Sequence, residues 1–361
     1  MKAVVVRAAG DYAVEELTID PPKEGELKIR MKAAGICHTD LSLIDGRLPL
    51  PLPCVVGHEG AGVVEEVGEG VTRFAVGDHV VLSYIPACGH CNSCHNHRPH
   101  LCSSGQPTGK MLDNTARVHR DGEDLNVMQF LGCMAEYAVI PQTSAVRIDK
   151  DIPFDRAALV GCAVMTGVGA AINTAKLEPG SSVVVFGCGG IGLSIIQGAR
   201  LAGANQIIAI DLADNKLEMA RNFGATHTIN STEDSPPEKI LELTGEGADY
   251  AFEAVGVPAL MQQAHQVIRR GGTVVIVGIS ALTDEVSFNA LNLAMSAKTI
   301  KGCIYGDANP PVDFPRLLDL YKAGKLNLDD MVTRTYSIDE SPQAFEDLKN
   351  NANARGVIVF P

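Results

Sequence analysis

Short apolar runs alternate with polar turns along the first 150 residues of the chain. Valine, isoleucine, leucine and alanine are concentrated in five segments, and Gly, Pro and Asp separate them: residues 3–7, 26–33, 60–66, 79–82 and 135–139. Runs of this length bounded by turn residues predict β-strands. Their succession without helical spacing between them predicts an antiparallel, partly closed β domain.

The pattern changes beyond residue 150. Residues 182–186 hold three consecutive valines, and residues 193–202 follow with helical spacing. The same strand-then-helix unit recurs three times, at 206–211 with 215–223, 250–254 with 258–268, and 273–277 with 288–297. Alternating elements of this kind predict an α/β fold with a doubly wound parallel sheet. The alternation stops after residue 302, and a helix over 313–323 and a strand over 356–360 are expected there.

Charge and composition narrow the class of protein. The net charge of −13 repels phosphate backbones and anionic lipid, so neither nucleic acid nor a membrane surface is expected as a partner. An uncharged run over residues 157–175 reaches the length of a membrane span. Its glycines, threonines and asparagine favour a buried helix instead. The first residues lack a secretory apolar segment, which predicts a cytoplasmic protein.

A glycine motif follows the valine-rich strand. Gly187, Gly189 and Gly192 form GxGxxG, with Gly190 and Ile191 between them, and a helix is expected to begin here. Asp211 lies 19 positions after Gly192 at the end of the next strand. This context is typical of a dinucleotide site with the pyrophosphate at the helix N-terminus. Asp211 would bind the ribose hydroxyls and repel a 2′-phosphate, so NAD is favoured over NADP.

Other residues are candidate contacts of the same dinucleotide. The only cation close to Asp211 along the chain is Lys216, which is a candidate cofactor contact. Val255, Gly278 and Ile279 follow the ends of later predicted strands. Ligands of parallel sheets bind beyond these ends.

Ten cysteines in a cytoplasmic chain are expected as metal ligands or buried thiols rather than disulfides. Four of them form the pattern CxxCxxCx₇C: Cys88, Cys91, Cys94 and Cys102. Four thiolates at this spacing can surround one zinc ion and leave no open position, which predicts a structural site. His90, His95, His97 and His100 could compete as ligands, but they are interpreted as solvated loop residues.

Three further candidate ligands are dispersed, and each lies close to a glycine. Taken singly, Cys37, His58 and Cys162 read as core residues. Together they make a Cys₂His set, which holds a catalytic zinc with one position open for substrate.

With these motifs the chain resembles the zinc-dependent alcohol dehydrogenases of the medium-chain dehydrogenase/reductase superfamily. GHExxGxV over residues 57–64, the four-cysteine segment and GxGxxG carry the resemblance, which extends over the whole chain. The most similar branch contains class III-type enzymes, mycothiol-linked formaldehyde dehydrogenases and nitrosoaniline-dependent alcohol dehydrogenases. The resemblance implies a GroES-like catalytic domain over residues 1–163 and 305–361, with a Rossmann NAD-binding domain over residues 164–304.

The resemblance also implies individual roles. Cys37, His58 and Cys162 match the catalytic zinc ligands, and Glu59 matches an acidic neighbour that can approach the metal. Asp40 matches the carboxylate that orients the ligating histidine, and Thr39 the hydroxyl that relays the substrate proton. Three further positions match cofactor contacts: His38 and Arg355 at the pyrophosphate, and Thr166 at the nicotinamide.

Some positions depart from the family pattern. Ser42 stands where many members have the histidine that ends the proton relay. Leu48, Leu50 and Gln106 replace the charged residues with which glutathione-dependent members bind their substrate. The alternation of Leu and Pro over residues 48–53 fits either an apolar pocket wall or a rigid surface loop.

The implied activity is reversible oxidation of an alcohol, expected to be primary and apolar or aromatic, to an aldehyde or ketone, with NAD and two Zn²⁺ per chain. The main alternative is oxidation of an S-hydroxymethyl adduct of a low-molecular-weight thiol. A reductase without catalytic zinc and a non-catalytic redox sensor are more distant alternatives. A homodimer is expected, joined through a strand at residues 299–304 that pairs with its twin across a two-fold axis.

Overall fold

The computed structural model describes residues 1–106, 108–350 and 354–361. The chain divides into two compact units, one made of Met1–Cys162 and Asn309–Pro361 and the other of Ala163–Ala308. The chain re-enters the first unit slightly beyond the expected boundary at residue 305, because the turn Tyr305–Asp307 packs within the second unit. There a Cβ on Gly306 would lie 2.4 Å from the Met165 carbonyl oxygen.

The first unit begins with eleven strands in the described residues, β1 to β11: Lys2–Ala8, Asp11–Glu16, Thr18–Ile19, Glu26–Gly35, Cys54–Val55, Gly60–Val67, His79–Leu82, Val118–Arg120, Glu123–Val127, Tyr137–Pro141 and Ala145–Arg147. Helices α1 and α2 are His38–Ile44 and Asn92–His95. The five strands expected from the sequence are present with bounds shifted by at most two residues.

One long helical segment, Phe154–Ala175, contains the boundary between the units. It consists of α3 (Phe154–Leu159), a π-helical turn (Val160–Val164), α4 (Met165–Gly169) and a second π-helical turn (Ala170–Ala175). Its length and composition would suffice to cross a membrane, yet 89% of its most apolar window is buried within the protein. Burial of this kind is typical of a core helix.

The second unit contains a parallel sheet with helices between its strands. Its strands β12 to β17 are Ser182–Phe186, Gln206–Asp211, His227–Asn230, Ala248–Glu253, Ile268–Ile276 and Thr299–Gly302. Its helices α5 to α9 are Gly190–Leu201, Asp214–Phe223, Pro236–Thr244, Pro258–Val267 and Ala290–Ser296. The strand order is β14-β13-β12-β15-β16-β17, so the order reverses between β12 and β15, as in a doubly wound sheet.

The chain returns to the first unit through α10 (Pro310–Lys322), β18 (Val332–Tyr336), α11 (Ser341–Lys349) and β19 (Arg355–Val359). Strand β19 lies between β4 and β18, in a seven-stranded sheet that also contains β6, β7, β10 and β11. The remaining strands of this unit form a six-stranded sheet. The antiparallel expectation holds for most pairs, but β18 with β19 and β5 with β9 run parallel. Val357 pairs with Gly35, which brings the start of β19 close to the end of β4.

Candidate active site

Cys37 and Asp40 are held together by the start of helix α1. Cys37 is the N-cap of this helix, and its backbone N–H donates to the Asp40 carboxylate at 3.0 Å. Asp40 is fully buried. The helix start therefore fixes a thiol and a carboxylate side by side.

His58 lies in the segment between β5 and β6. Gly57 has a φ of 104°, and a Cβ there would lie 2.4 Å from the Met134 backbone nitrogen, so only glycine permits this close approach. The His58 ring is buried, and its Nδ1 is 2.9 Å from Asp40 Oδ1. Burial opposes protonation of His58, but the Asp40 carboxylate outweighs it and raises the pKa of the imidazole. The more basic ring is a stronger metal ligand.

Cys162 lies in the first π-helical turn of the long helical segment. Turns of this kind are frequent at functional sites because the extra residue re-aims the side chains. A Cβ on Gly161 would lie 2.7 Å from the Leu82 carbonyl oxygen, so this glycine lets the helix approach the end of β7. The Cys162 thiol is thereby placed against the other two candidate ligands.

The three candidate ligand atoms, from Cys37, His58 and Cys162, all lie within 4.8 Å of one another, and all three residues are buried. His58 Nε2 has no hydrogen-bond partner among the described residues. A buried ring nitrogen left unpaired while the other bonds a carboxylate is the arrangement of a metal-ligating histidine. The Cys37 pKa is lowered, since Cys162 donates a hydrogen bond to it and His58 is close, so Cys37 supplies a thiolate readily. The donor set fits zinc.

Glu59 lies beside this group rather than in it. Its carboxylate is fully buried and pairs with the Arg355 guanidinium, which the pairing of β19 with β4 brings in. Its approach to a metal, like the Arg355 contact with a cofactor, stays a prediction. Thr39 Oγ1 lies 3.7 Å from Cys37 Sγ, beside the candidate ligands, and its part in a proton relay stays a prediction.

The four-cysteine segment also closes on itself. The sulfur atoms of Cys88, Cys91, Cys94 and Cys102 all lie within 4.8 Å of one another. Backbone N–H groups of Cys94 and Ser103 lower the Cys91 pKa to about 5, which favours the thiolate. The set therefore fits a zinc ion without an open position.

Three of the neighbouring histidines are exposed as expected. His100 is buried, which corrects the interpretation of all four as solvated.

The glycine motif forms the turn between β12 and α5. Gly187 has a φ of 92°, and a Cβ on Gly192 would lie 1.8 Å from the Gly187 carbonyl oxygen. A Cβ on Gly189 would meet nothing within 4 Å, so the backbone there faces open space. Gly190 and Ile191 begin α5, whose free N–H groups suit a pyrophosphate. These features fit a dinucleotide.

Asp211 ends the neighbouring strand and supports the same turn. Its Oδ2 accepts a hydrogen bond from the Cys188 N–H at 2.8 Å, and its Oδ1 accepts one from the Leu212 N–H at 2.8 Å. A carboxylate has further lone pairs for ribose hydroxyls. Lys216 lies two residues into α6 and is half-buried.

The other predicted cofactor residues divide between the units. Val255, Gly278 and Ile279 follow β15 and β16 at the carboxyl edge of the sheet, and Thr166 is buried on α4. A Cβ on Gly187 would lie 2.5 Å from Val255 Cγ2, so Val255 borders the glycine turn. His38 is exposed on α1 in the first unit, and its cofactor contact stays a prediction.

Sequence reasoning missed the aromatic side of the metal site. The Tyr84 ring meets the His58 ring edge-on, with 5.8 Å between centroids. Leu48, Leu50 and Leu52 are partly buried against the core of the first unit, so the Leu–Pro segment is packed rather than free at the surface. Tyr84 lies two residues after β7, and this position alone gives no sequence signal for a metal site.

Comparisons with known proteins agree with this geometry. The family model described as Alcohol dehydrogenase GroES-like domain matches residues 23–150, and the one described as Zinc-binding dehydrogenase matches residues 190–323. An NDMA-dependent alcohol dehydrogenase of Amycolatopsis methanolica is 45% identical, with 99% of this chain and 98% of the relative covered. An S-(hydroxymethyl)glutathione dehydrogenase of Paracoccus denitrificans is 39% identical, with 99% of each covered.

A solved structure gives the same result for the fold. Benzyl alcohol dehydrogenase from Acinetobacter calcoaceticus superposes with a TM-score of 0.95 at 35% identity, covering 100% of this chain and 99% of that one. The expected fold class, a GroES-like β-rich domain plus a doubly wound parallel sheet, is confirmed.

Proposed function

This chain belongs to the zinc-binding alcohol dehydrogenases, and we propose that it transfers a hydride reversibly between a primary, apolar or aromatic alcohol and NAD. The observation that carries the proposal is the buried group Cys37, His58 and Cys162 with the unpaired His58 Nε2. Bound there, zinc supplies Lewis-acid chemistry to the alcohol oxygen, and NAD at the glycine turn supplies the hydride acceptor.

The residues around these groups orient the His58 ring and carry the proton of the substrate. Asp40 holds the His58 ring in one orientation through Nδ1, which leaves Nε2 for the metal. The Thr39 hydroxyl accepts the proton of the alcohol and gives up its own proton, which is released to solvent as the hydride leaves. Ser42 is half-buried on α1, where many relatives have the histidine that ends the relay.

Tyr84 and the leucines of residues 48–52 support an apolar or aromatic substrate. Tyr84 places an aromatic ring against His58, and the three leucines at 48, 50 and 52 add partly buried aliphatic side chains to the first unit. A solved relative carries the name benzyl alcohol dehydrogenase, which agrees with this choice.

The test is a panel of alcohols assayed with NAD and, in parallel, with a nitrosoaniline acceptor. Turnover of aromatic and longer primary alcohols supports the proposal, and turnover of none contradicts it.

Oxidation of an S-hydroxymethyl thiol adduct is the second candidate. A relative named for such a reaction is 39% identical, against 45% for the relative named as an alcohol dehydrogenase. Leu48, Leu50 and Gln106 remove charges that would bind glutathione. The ratio of kcat/KM for a plain alcohol to that for the adduct separates the two reactions.

The choice of cofactor should depend on Asp211. We expect Asp211→Asn, which keeps an acceptor for the Cys188 N–H but removes the charge, to lower the ratio of catalytic efficiencies with NAD and NADP. Two unit charges ~4 Å apart interact by about 1–4 kcal/mol, so the ratio should fall roughly tenfold or more. Asp214→Asn, three residues further along the chain at the start of α6, is the matched control. An unchanged ratio in Asp211→Asn contradicts the assignment to the ribose.

We also propose a cytoplasmic homodimer. All ten cysteines are free, which suits a reducing compartment. Strand β17 is at one edge of the parallel sheet, and the neighbouring helix α9 exposes Leu291 and Met295. Pairing β17 with its twin would cover both features.

Light scattering should therefore give about 76 kDa, twice the 38.2 kDa of one chain. Leu291→Glu should shift the mass toward the monomer, because it charges the covering helix. Val76→Glu changes an exposed valine of the first unit and should leave the mass unchanged. A wild-type monomer at micromolar concentration contradicts the edge-pairing model.

A further inference from the structure

Glu253 is a buried carboxylate that the reaction described above does not use. It is the last residue of β15 and has no exposed surface. Its Oε1 accepts hydrogen bonds from three successive backbone N–H groups, those of Val255 at 2.9 Å, Gly256 at 2.7 Å and Val257 at 3.3 Å. The chain therefore wraps around this carboxylate just before α8 begins.

The wrapped turn is also the meeting point of the loops that border the proposed NAD crevice. Val255 packs on Gly187 of the glycine turn, where a Cβ would lie 2.5 Å from Val255 Cγ2. A Cβ on Gly256 would lie 2.3 Å from the Ile279 carbonyl oxygen, so the turn after β15 also touches the loop after β16. A shift of this turn would displace both of its neighbours.

The second oxygen of Glu253 completes the junction. Oε2 is buried without a hydrogen-bond partner among the residues that the structure describes, and a Cβ on Gly278 would lie 2.7 Å from it. Leaving a buried carboxylate oxygen unpaired is costly. Burial raises the pKa of Glu253, although the three N–H donors oppose that shift. Packing alone does not explain why the Glu253 carboxylate is buried, at this cost in free energy, where these loops meet.

The N-terminus of helix α8, which follows this turn, gives a further reason for a carboxylate here. Helices α5 and α8 follow the adjacent parallel strands β12 and β15, so both begin at the carboxyl edge of the sheet. Both N-termini attract anions. The Glu253 carboxylate accepts hydrogen bonds from the three N–H groups that precede α8, so a carboxylate already lies at the approach to that helix.

We propose that Glu253 is a positioning residue for the dinucleotide. It holds the Val255–Val257 turn against the glycine turn and the Ile279 loop, and it keeps the pyrophosphate at α5 by occupying the approach to α8. This inference rests on the proposed function, because NAD is the ligand whose binding the turn controls.

The test measures binding and backbone protection instead of turnover. Titration of the nucleotide-free protein with NADH, followed by the fluorescence of the reduced nicotinamide, gives the Kd. Hydrogen exchange reports the amides of Val255, Gly256 and Val257. We expect Glu253→Ala to raise the Kd for NADH by roughly tenfold or more and to speed exchange at these amides, because they lose their acceptor.

Glu253→Gln retains an acceptor oxygen and nearly the same shape, so it keeps the test informative should the alanine variant fail to fold. We expect a smaller rise in Kd, about threefold, with faster exchange at the same three amides, because a neutral acceptor bonds them less strongly. Asp249→Asn is the matched control. Asp249 lies on the same strand at the opposite edge of the sheet and accepts from the Ser182 N–H at 2.7 Å. It should leave the Kd for NADH unchanged.

If both Glu253 variants show the Kd for NADH and the amide exchange rates of the wild type, the positioning role is overturned. An equal rise of the Kd in Asp249→Asn also overturns it, since the effect would then be a general loosening of the sheet. If the wild-type protein itself binds no NADH, the proposed function fails, and this inference fails with it for that separate reason.

Discussion

Replacing Cys162 with alanine should reduce the turnover of every alcohol substrate by roughly a thousandfold or more, because a Lewis acid at the site is worth several kcal/mol of transition-state stabilisation. The thiol is one of the three grouped ligand atoms, so the variant should also lose one zinc per chain. The melting temperature should change little, since an open site contributes chemistry more than stability. Steady-state kinetics, metal analysis and thermal unfolding together check the prediction.

Cys54→Ala provides the matched control for this experiment. Cys54 is as deeply buried in the same unit, but it lies on β5 outside both cysteine groups. Its replacement should leave zinc content and turnover near the wild-type values. Full activity in Cys162→Ala would show that the grouped thiol has no part in the reaction.

Cys91→Ala should have its main effect on stability. A structural zinc contributes several kcal/mol to folding, and 1 kcal/mol shifts the melting temperature by ~2–4 °C in domains of this size, so a fall of roughly 10 °C is expected. The variant should bind one zinc fewer, and its soluble yield should fall. Catalytic efficiency per correctly folded chain should remain within a few-fold of the wild type.

Ser93→Ala tests whether the loss is specific to the metal. Ser93 lies on the four-residue helix α2, of which Cys91 is the N-cap, between Cys91 and Cys94, and is not a ligand. It should retain both zinc ions and the wild-type melting temperature. Equal stability of Cys91→Ala and the wild type would mean that the segment holds together without the metal.

The features that sequence reasoning predicted best are local in the chain. The glycine turn, with Gly187 at positive φ and Gly192 packed against it, follows from a motif six residues long. The four cysteines span only residues 88–102, so their spacing alone limits where their sulfur atoms lie. Strands β12 and β13 were predicted with their observed bounds, because both are buried and rich in β-branched residues.

Elements with weak patterns were missed. Strand β14 has four residues, of which only Ile229 is buried, and it lies at an edge of its sheet. Strand β18 is also at an edge and is mostly exposed. Helix α11 was missed as well, although its buried residues have helical spacing. An edge strand lacks the double-sided burial that makes a continuous apolar run, so its sequence resembles a loop.

Taken by itself, then, the sequence determined the two kinds of domain, the strand-and-helix order of the second unit and the four-cysteine ligand set, because periodicity and short motifs encode them. The ligand set of Cys37, His58 and Cys162 needed the resemblance to a family as well. Only the tertiary structure decided which side chains meet over long separations. Glu59 pairs with Arg355 because β19 is inserted beside β4. Tyr84 meets His58 because β6 and β7 pair antiparallel, which brings the residues before β6 close to those after β7. Such contacts depend on sheet order and register, which are set by the packing of the whole unit and leave no local pattern in the chain.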